Sequence, residues 1–89
     1  MMAERTVRIT NRNGIHARPA AEIVKLASKF GCEITLVRDD LEVNGKSIMG
    51  VMMLAAEFGA TVTLRATGPD ADTAVEQLAG LIATRFGEA

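Results

Sequence analysis

Apolar residues along the chain alternate between a period of two and a period near 3.6, and the changes of period mark the elements. Thr6 to Thr10 sets Val7 and Ile9 against Thr6, Arg8 and Thr10, the pattern of a half-buried strand. Ala20, Ile23, Val24, Ala27 and Phe30 then recur at helical spacing, predicting a helix from Ala17 to Phe30 that Gly31 ends. Glu33 to Arg38 alternates with Ile34 and Leu36 inward, Asp39 and Asp40 supply a turn, and Leu41 and Val43 continue as the second arm of a hairpin. Ser47 is suited to cap a short helix over the apolar stretch Ile48 to Ala56. Thr61 to Thr67 is a fourth strand between Gly59 and the pair Gly68 and Pro69. Asp70 and Asp72 favour a final helix whose stripe is Ala71, Val75, Leu78, Leu81, Ile82 and Phe86, ending at Gly87. The order is βαββαβα, an α+β pattern. Each strand has one apolar face and each helix one apolar stripe, so a single sheet with all helices on one side is expected.

Composition narrows what such a fold can do. The 89 residues suit a single domain, taken as residues 1–89, with a thin core and no separate cofactor and substrate halves. Ten Lys and Arg against eleven Asp and Glu leave a net charge of -1, which removes the general attraction to phosphate backbones that nucleic-acid binders rely on. Phe30, Phe58 and Phe86 are the only aromatic residues besides His16, so a base-stacking platform is missing too. Nucleic acid is therefore not an expected partner. A lone Cys32 and a lone His16 provide neither a disulfide nor an ordinary zinc set, so no metal is expected. Cys32 is read as a small half-buried apolar residue. The charged start, Glu4 and Arg5 after Met1 to Ala3, lacks the apolar segment of a signal peptide or membrane anchor. The expected compartment is the cytoplasm, without membrane insertion.

The run Asn11, Arg12, Asn13, Gly14, Ile15, His16, Ala17, Arg18, Pro19 and Ala20 lies where a strand stops and a helix begins. Gly14 allows a sharp turn, and Pro19 suits the first helical turn because its missing N–H would have no partner there. The first amides of a helix lack acceptors and sit at the positive end of the dipole. A phosphoryl group on the His16 imidazole would lie near the N–H groups of Ala17 and Arg18, and the Arg18 guanidinium could add a charge-assisted contact. An unprotonated ring nitrogen in this corner is a nucleophile for a phosphoryl donor. Spacing alone does not establish this role, since a histidine before a helix is commonly an ordinary capping or surface residue.

Ser47 at the start of the second helix can accept a phosphate without melting it, because the dianion meets unpaired amides. Ile48, Met49, Met52 and Met53 cannot all face the sheet at helical spacing, so an adaptable apolar patch is expected beside the serine. A phosphate of about 1.5 to 2 negative charges on Ser47 would then act as a switch at an interface. On spacing alone Ser47 is only a cap and the methionines only core filling.

Resemblance separates these readings. The run from Gly14 through His16 to Ala21 resembles the active-site signature of HPr, the histidine phosphocarrier of the bacterial phosphotransferase system. The run from Val43 through Ser47 to Met52 is similar to that family's regulatory serine segment. Both blocks, their separation and the element order cover essentially the whole chain. The resemblance implies a two-layer open-faced sandwich, with an antiparallel sheet ordered 1-4-2-3 and three helices on one face. It also implies a monomeric phosphocarrier without a cofactor or a substrate pocket of its own, an intermediate in phosphoryl transfer. Enzyme I would charge His16, and an enzyme IIA domain in sugar uptake would receive the group. Arg18 and the Ala17 amide would steady the phosphate, and Ser47 would answer to an HPr kinase/phosphorylase and a transcriptional regulator. Ile48, Met49, Met52, Lys25 and Asn13 would meet partners. Ser28 stands where some relatives carry another lysine, which reduces or shifts the basic patch around Lys25 and Lys29. Two other readings stay open at this point: a carrier of the nitrogen-type branch, and a regulatory binding module working through the Ser47 patch.

Overall fold

The computed structural model describes residues 1–89. Its elements are β1 (Met2–Arg8), α1 (Ala17–Ala27), β2 (Glu33–Arg38), β3 (Leu41–Asn44), α2 (Ile48–Met53), β4 (Thr61–Thr67) and α3 (Ala71–Ala83), followed by a single 3-10 turn, Arg85–Gly87. The four strands form one sheet ordered β1-β4-β2-β3. β4 runs antiparallel to both neighbours, with Val7 opposite Val62 on one side and Leu36 opposite Leu64 on the other. The alternation seen in sequence becomes a two-faced sheet. Val62, Leu64 and Ala66 of β4, Ile34 and Leu36 of β2 and Val43 of β3 are buried beneath the helices. On the open face Arg65 bonds Glu4 at 2.6 Å and Glu42 at 3.4 Å, a bridge running from β1 through β4 to β3. Glu4 holds the Arg65 guanidinium above its ordinary pKa by accepting its hydrogen bond, against a desolvation effect in the other direction.

The helices close the other face. Ala20, Ile23 and Ala27 of α1, Val51 of α2 and Ala71, Ala74, Val75, Leu78, Ala79 and Ile82 of α3 are buried in one core with the strands. α3 lies on β1 and β4, while α1 packs against both α2 and α3. Small residues on α3 let that helix approach the sheet closely, which suits a core built on few aromatics.

Several boundaries differ from the sequence expectation, each for a local reason. β1 reaches back to Met2, whose partner is Thr67. An edge strand pairs on one side only, and Arg5, set on the helix face, runs out to Glu76 of α3 at 2.8 Å, so this end shows no clean alternation. α1 stops at Ala27 because the next amides turn to nearer carbonyls, Lys29 to Leu26 and Phe30 to Ala27. Phe30 is thereby half-buried outside the helix. α2 ends at Met53 because Ala55 is left-handed, with φ of 49°. Leu54 and Ala56 are nevertheless buried, so the apolar run outlasts the helix that the pattern attached to it. Leu41, in the same alternating run as the buried Val43, is exposed at the hairpin tip. Cys32, expected half-buried, is fully enclosed. Phe86 reaches the core not from the α3 stripe but after a reversal in which Arg85 and Phe86 are both left-handed.

Candidate functional site

The segment between β1 and α1 is built by a few hydrogen bonds. The Gly14 amide donates to Asn11 O at 3.1 Å, the buried Asn11 amide group donates to Gly14 O at 2.7 Å, and the Ile15 amide donates to Ala56 O at 2.8 Å. Gly14 has φ of +67°, and a Cβ there would lie 2.5 Å from Ala56 O. Only glycine meets both the left-handed backbone and the close approach. Ile15 is buried, which pins the chain one residue before His16.

His16 follows as the N-cap residue of α1, with an extended backbone and its carbonyl accepting the Ala20 amide at 3.0 Å. Its side chain makes no capping bond. The ring is therefore free to point away from the helix, with 43 % of the side chain exposed. The Ala17 and Arg18 amides open the helix and have no carbonyl four residues back within it.

The C-terminal turn completes the corner. Glu88 Oε2 lies 2.8 Å from His16 Nε2 and 2.8 Å from an Arg18 guanidinium nitrogen, while Oε1 accepts from Asn11 at 3.1 Å. Burial pushes the Glu88 carboxyl up, but hydrogen bonds from Asn11, Arg18 and His16 outweigh it and hold the group below its ordinary value. A carboxylate can only accept, so Nε2 is the donor, and in the neutral imidazole the lone pair is at Nδ1. No hydrogen bond engages Nδ1. Arg18 also donates to Phe86 O at 2.8 Å and to Glu22 at 3.0 Å. The chain thus holds an anionic oxygen against His16 and Arg18 with its own terminus, at a distance a phosphoryl oxygen would also adopt.

Of the residues singled out in sequence, His16, Ala17 and Arg18 form this corner. Asn13 is exposed and makes no side-chain hydrogen bond; the asparagine that meets the corner is Asn11, which is fully buried. Lys25 lies nine residues along α1, about 13 Å by helix rise. It borders a shallow groove with Glu22, Leu26, Lys29 and Leu81. Ser47 caps α2 as expected, accepting the Gly50 amide at 3.1 Å. Ile48, Met49, Met52 and Met53 are all exposed, at 46 %, 75 %, 42 % and 64 %, so the expected apolar patch stands in solvent. The largest surface depression, about 450 Å³, runs from Gly31 to Thr35 and from Glu42 to Lys46 and includes neither His16 nor Ser47. Sequence reading missed Asn11 and Glu88. Asn11 stands in the same short run as Asn13, whereas Glu88 gave no signal, because 72 residues separate it from His16.

An open-faced sandwich whose first helix opens at an exposed histidine, close to an arginine, defines a small α+β protein that presents a side-chain nitrogen at its surface. The family described as "PTS HPr component phosphorylation site" matches residues 3–84, and the chain belongs to the HPr family of phosphocarriers. It is 48 % identical over 87 residues to the phosphocarrier protein HPr of Cupriavidus necator, covering 98 % of each chain. It is 41 % identical to the phosphocarrier protein NPr of Shewanella violacea, covering 97 % of this chain and 94 % of that one. The crystal structure of HPr-C-His from Thermoanaerobacter tengcongensis superposes with a TM-score of 0.93 at 46 % identity over 98 % of both chains. An HPr dimer from the same organism matches with a TM-score of 0.78 at 46 % identity, over 97 % of this chain and 99 % of that one.

Proposed function

We propose that this chain is a cytoplasmic phosphocarrier of the sugar-uptake branch, acting as a single domain, which takes a phosphoryl group from phospho-enzyme I onto His16 and passes it to an enzyme IIA domain. The observation that carries the reading is a half-exposed imidazole at the open end of α1 whose Nε2 is engaged by Glu88 and whose Nδ1 is unengaged. Nδ1 attacks phosphorus as the bond from phosphorus to the donor's nitrogen breaks, and that bond's electron pair stays with the donor. The group then lies near the Ala17 and Arg18 amides, whose dipole favours the charge. The same step in reverse, with a IIA histidine as nucleophile, releases it. The shallow surface fits this role, since a visiting protein supplies the other half of the site.

The test is incubation with enzyme I and phosphoenolpyruvate. The native chain gains one acid-labile phosphate and His16→Ala gains none; a native chain left unlabelled by enzyme I of either branch would leave only the regulatory-module reading. The NPr relative keeps the nitrogen branch as the second reading. Comparing charging by enzyme I of the two branches separates them, and equal rates would remove the support for the sugar branch. A monomer is proposed, and sedimentation at micromolar concentration tests it, since a dimeric relative has been crystallised.

Regulation is proposed at Ser47. Its capping position and the exposed Ile48, Met49 and Met52 support a docking patch that a kinase-added phosphate would charge, altering contact with a transcriptional regulator and with enzyme I.

A further inference from the structure

Arg38 ends β2, apart in the chain from both the histidine turn and the Ser47 helix. Its guanidinium donates to the Leu54 carbonyl at 3.1 Å and to the Ala55 carbonyl at 2.7 Å, and its other nitrogen pairs with Glu57. The carbonyls at the end of a helix have no partner within it. Leu54 caps α2, and Ala55 carries the left-handed backbone that reverses the chain there. One planar, pre-organised fork therefore fixes the segment from Leu54 to Glu57 at three points, more rigidly than the rotatable donors of an ammonium group would.

That segment is the floor of the histidine turn. Ala56 O accepts the Ile15 amide, and Gly14 lies so close that a Cβ would meet Ala56 O at 2.5 Å and Glu57 Cα at 2.9 Å. The His16 amide in turn donates to Gly14 O at 3.1 Å. We propose that Arg38 is a positioning residue for His16, acting through the backbone of Leu54 to Glu57 and the turn Gly14–Ile15 that rests on it. Arg38 touches no reacting atom. Its part is to keep the ring where α1 opens, since a displacement of about 1 Å in a group-transfer site can reduce the rate on the order of a hundredfold.

The inference rests on the carrier reading for its rate, but not for its geometry, and the experiment separates the two. In Arg38→Leu, amide hydrogen exchange at Ile15 rises on the order of tenfold and the imidazole 15N signals of His16 move, while amides in β1 and β4 keep native protection. The kcat/KM for phosphoryl transfer from phospho-enzyme I falls on the order of tenfold. Arg38→Lys, which keeps charge and stem but loses the fork, gives intermediate values for all three and decides the matter if the leucine variant does not fold. Native exchange at Ile15 in both variants overturns the proposal. So does faster exchange with an unchanged transfer rate, because Arg38 would then only stabilise a loop. If the native protein takes no phosphate at all, the carrier reading fails, and the exchange and imidazole signals still decide whether Arg38 positions the ring.

Discussion

Glu88 Oε2 stands 2.8 Å from His16 Nε2, joining the next-to-last residue of the chain to the cap of its first helix. The terminus reaches that place through a reversal at Arg85 and Phe86, whose left-handed backbones cost about 1–3 kcal/mol each. Burial of Phe86, the Arg18 bond to its carbonyl and the Arg12 amide bond to Ala89 O at 2.7 Å offset that strain. A strained tail kept in place by contacts around one imidazole is best understood as part of the site.

Removing the carboxylate should release the ring. In Glu88→Ala the 15N spectrum of His16 should change from a single tautomer protonated on Nε2 to a mixture, and transfer from phospho-enzyme I should slow several-fold. An unchanged tautomer would mean that the helix end alone orients the ring.

The same carboxyl predicts a pH effect of definite sign. Because Glu88 is held below its ordinary value, the unfolded chain binds that proton more readily than the folded one. Its stabilisation is complete above the unfolded carboxylate range, about 4.3, and is lost as pH falls through the lower folded value. Melting temperatures between about pH 7 and 3 should therefore fall more steeply for the native chain than for Glu88→Gln. Parallel curves would contradict the clamp.

Asn11 donates to both Gly14 O and Glu88 Oε1. Asn11→Asp turns a donor into an acceptor facing two acceptors in a buried place, so it should cost about 1–3 kcal/mol or more. It should also free the tail, read as faster proteolysis after Ala83. Asn11→Ala should be milder, and the reverse ranking would argue against a donor role.

Gly14→Ala combines a left-handed backbone, roughly 1–2 kcal/mol, with a clash against Ala56 O. Chemical denaturation should give a loss above that range, and a smaller loss would show that the turn moves off its floor easily.

Ser47→Ala removes the cap on the Gly50 amide and should cost about 1 kcal/mol in denaturation. Ser47→Asp caps equally well and should keep stability while weakening regulator binding and enzyme I transfer. If the aspartate variant behaves as native in both, the charge-at-interface account is wrong.

The amino-acid order determined whatever depends on neighbours in the chain. The alternation in Glu33–Arg38 and Thr61–Thr67 gave two strands with their observed bounds, Ser47 capped as its type predicts, and His16 stood where α1 begins, because period and capping are local properties. Helix ends were less legible, since Leu54 and Phe86 are apolar and buried without belonging to an α-helix. Tertiary structure alone decided the chemistry around the histidine. Glu88 and Asn11 meet His16 and Arg18, and Arg38 supports the turn beneath, only because the sheet order and the terminal reversal bring distant segments together. Hydrogen-bond geometry across such distances leaves no periodic trace in a sequence.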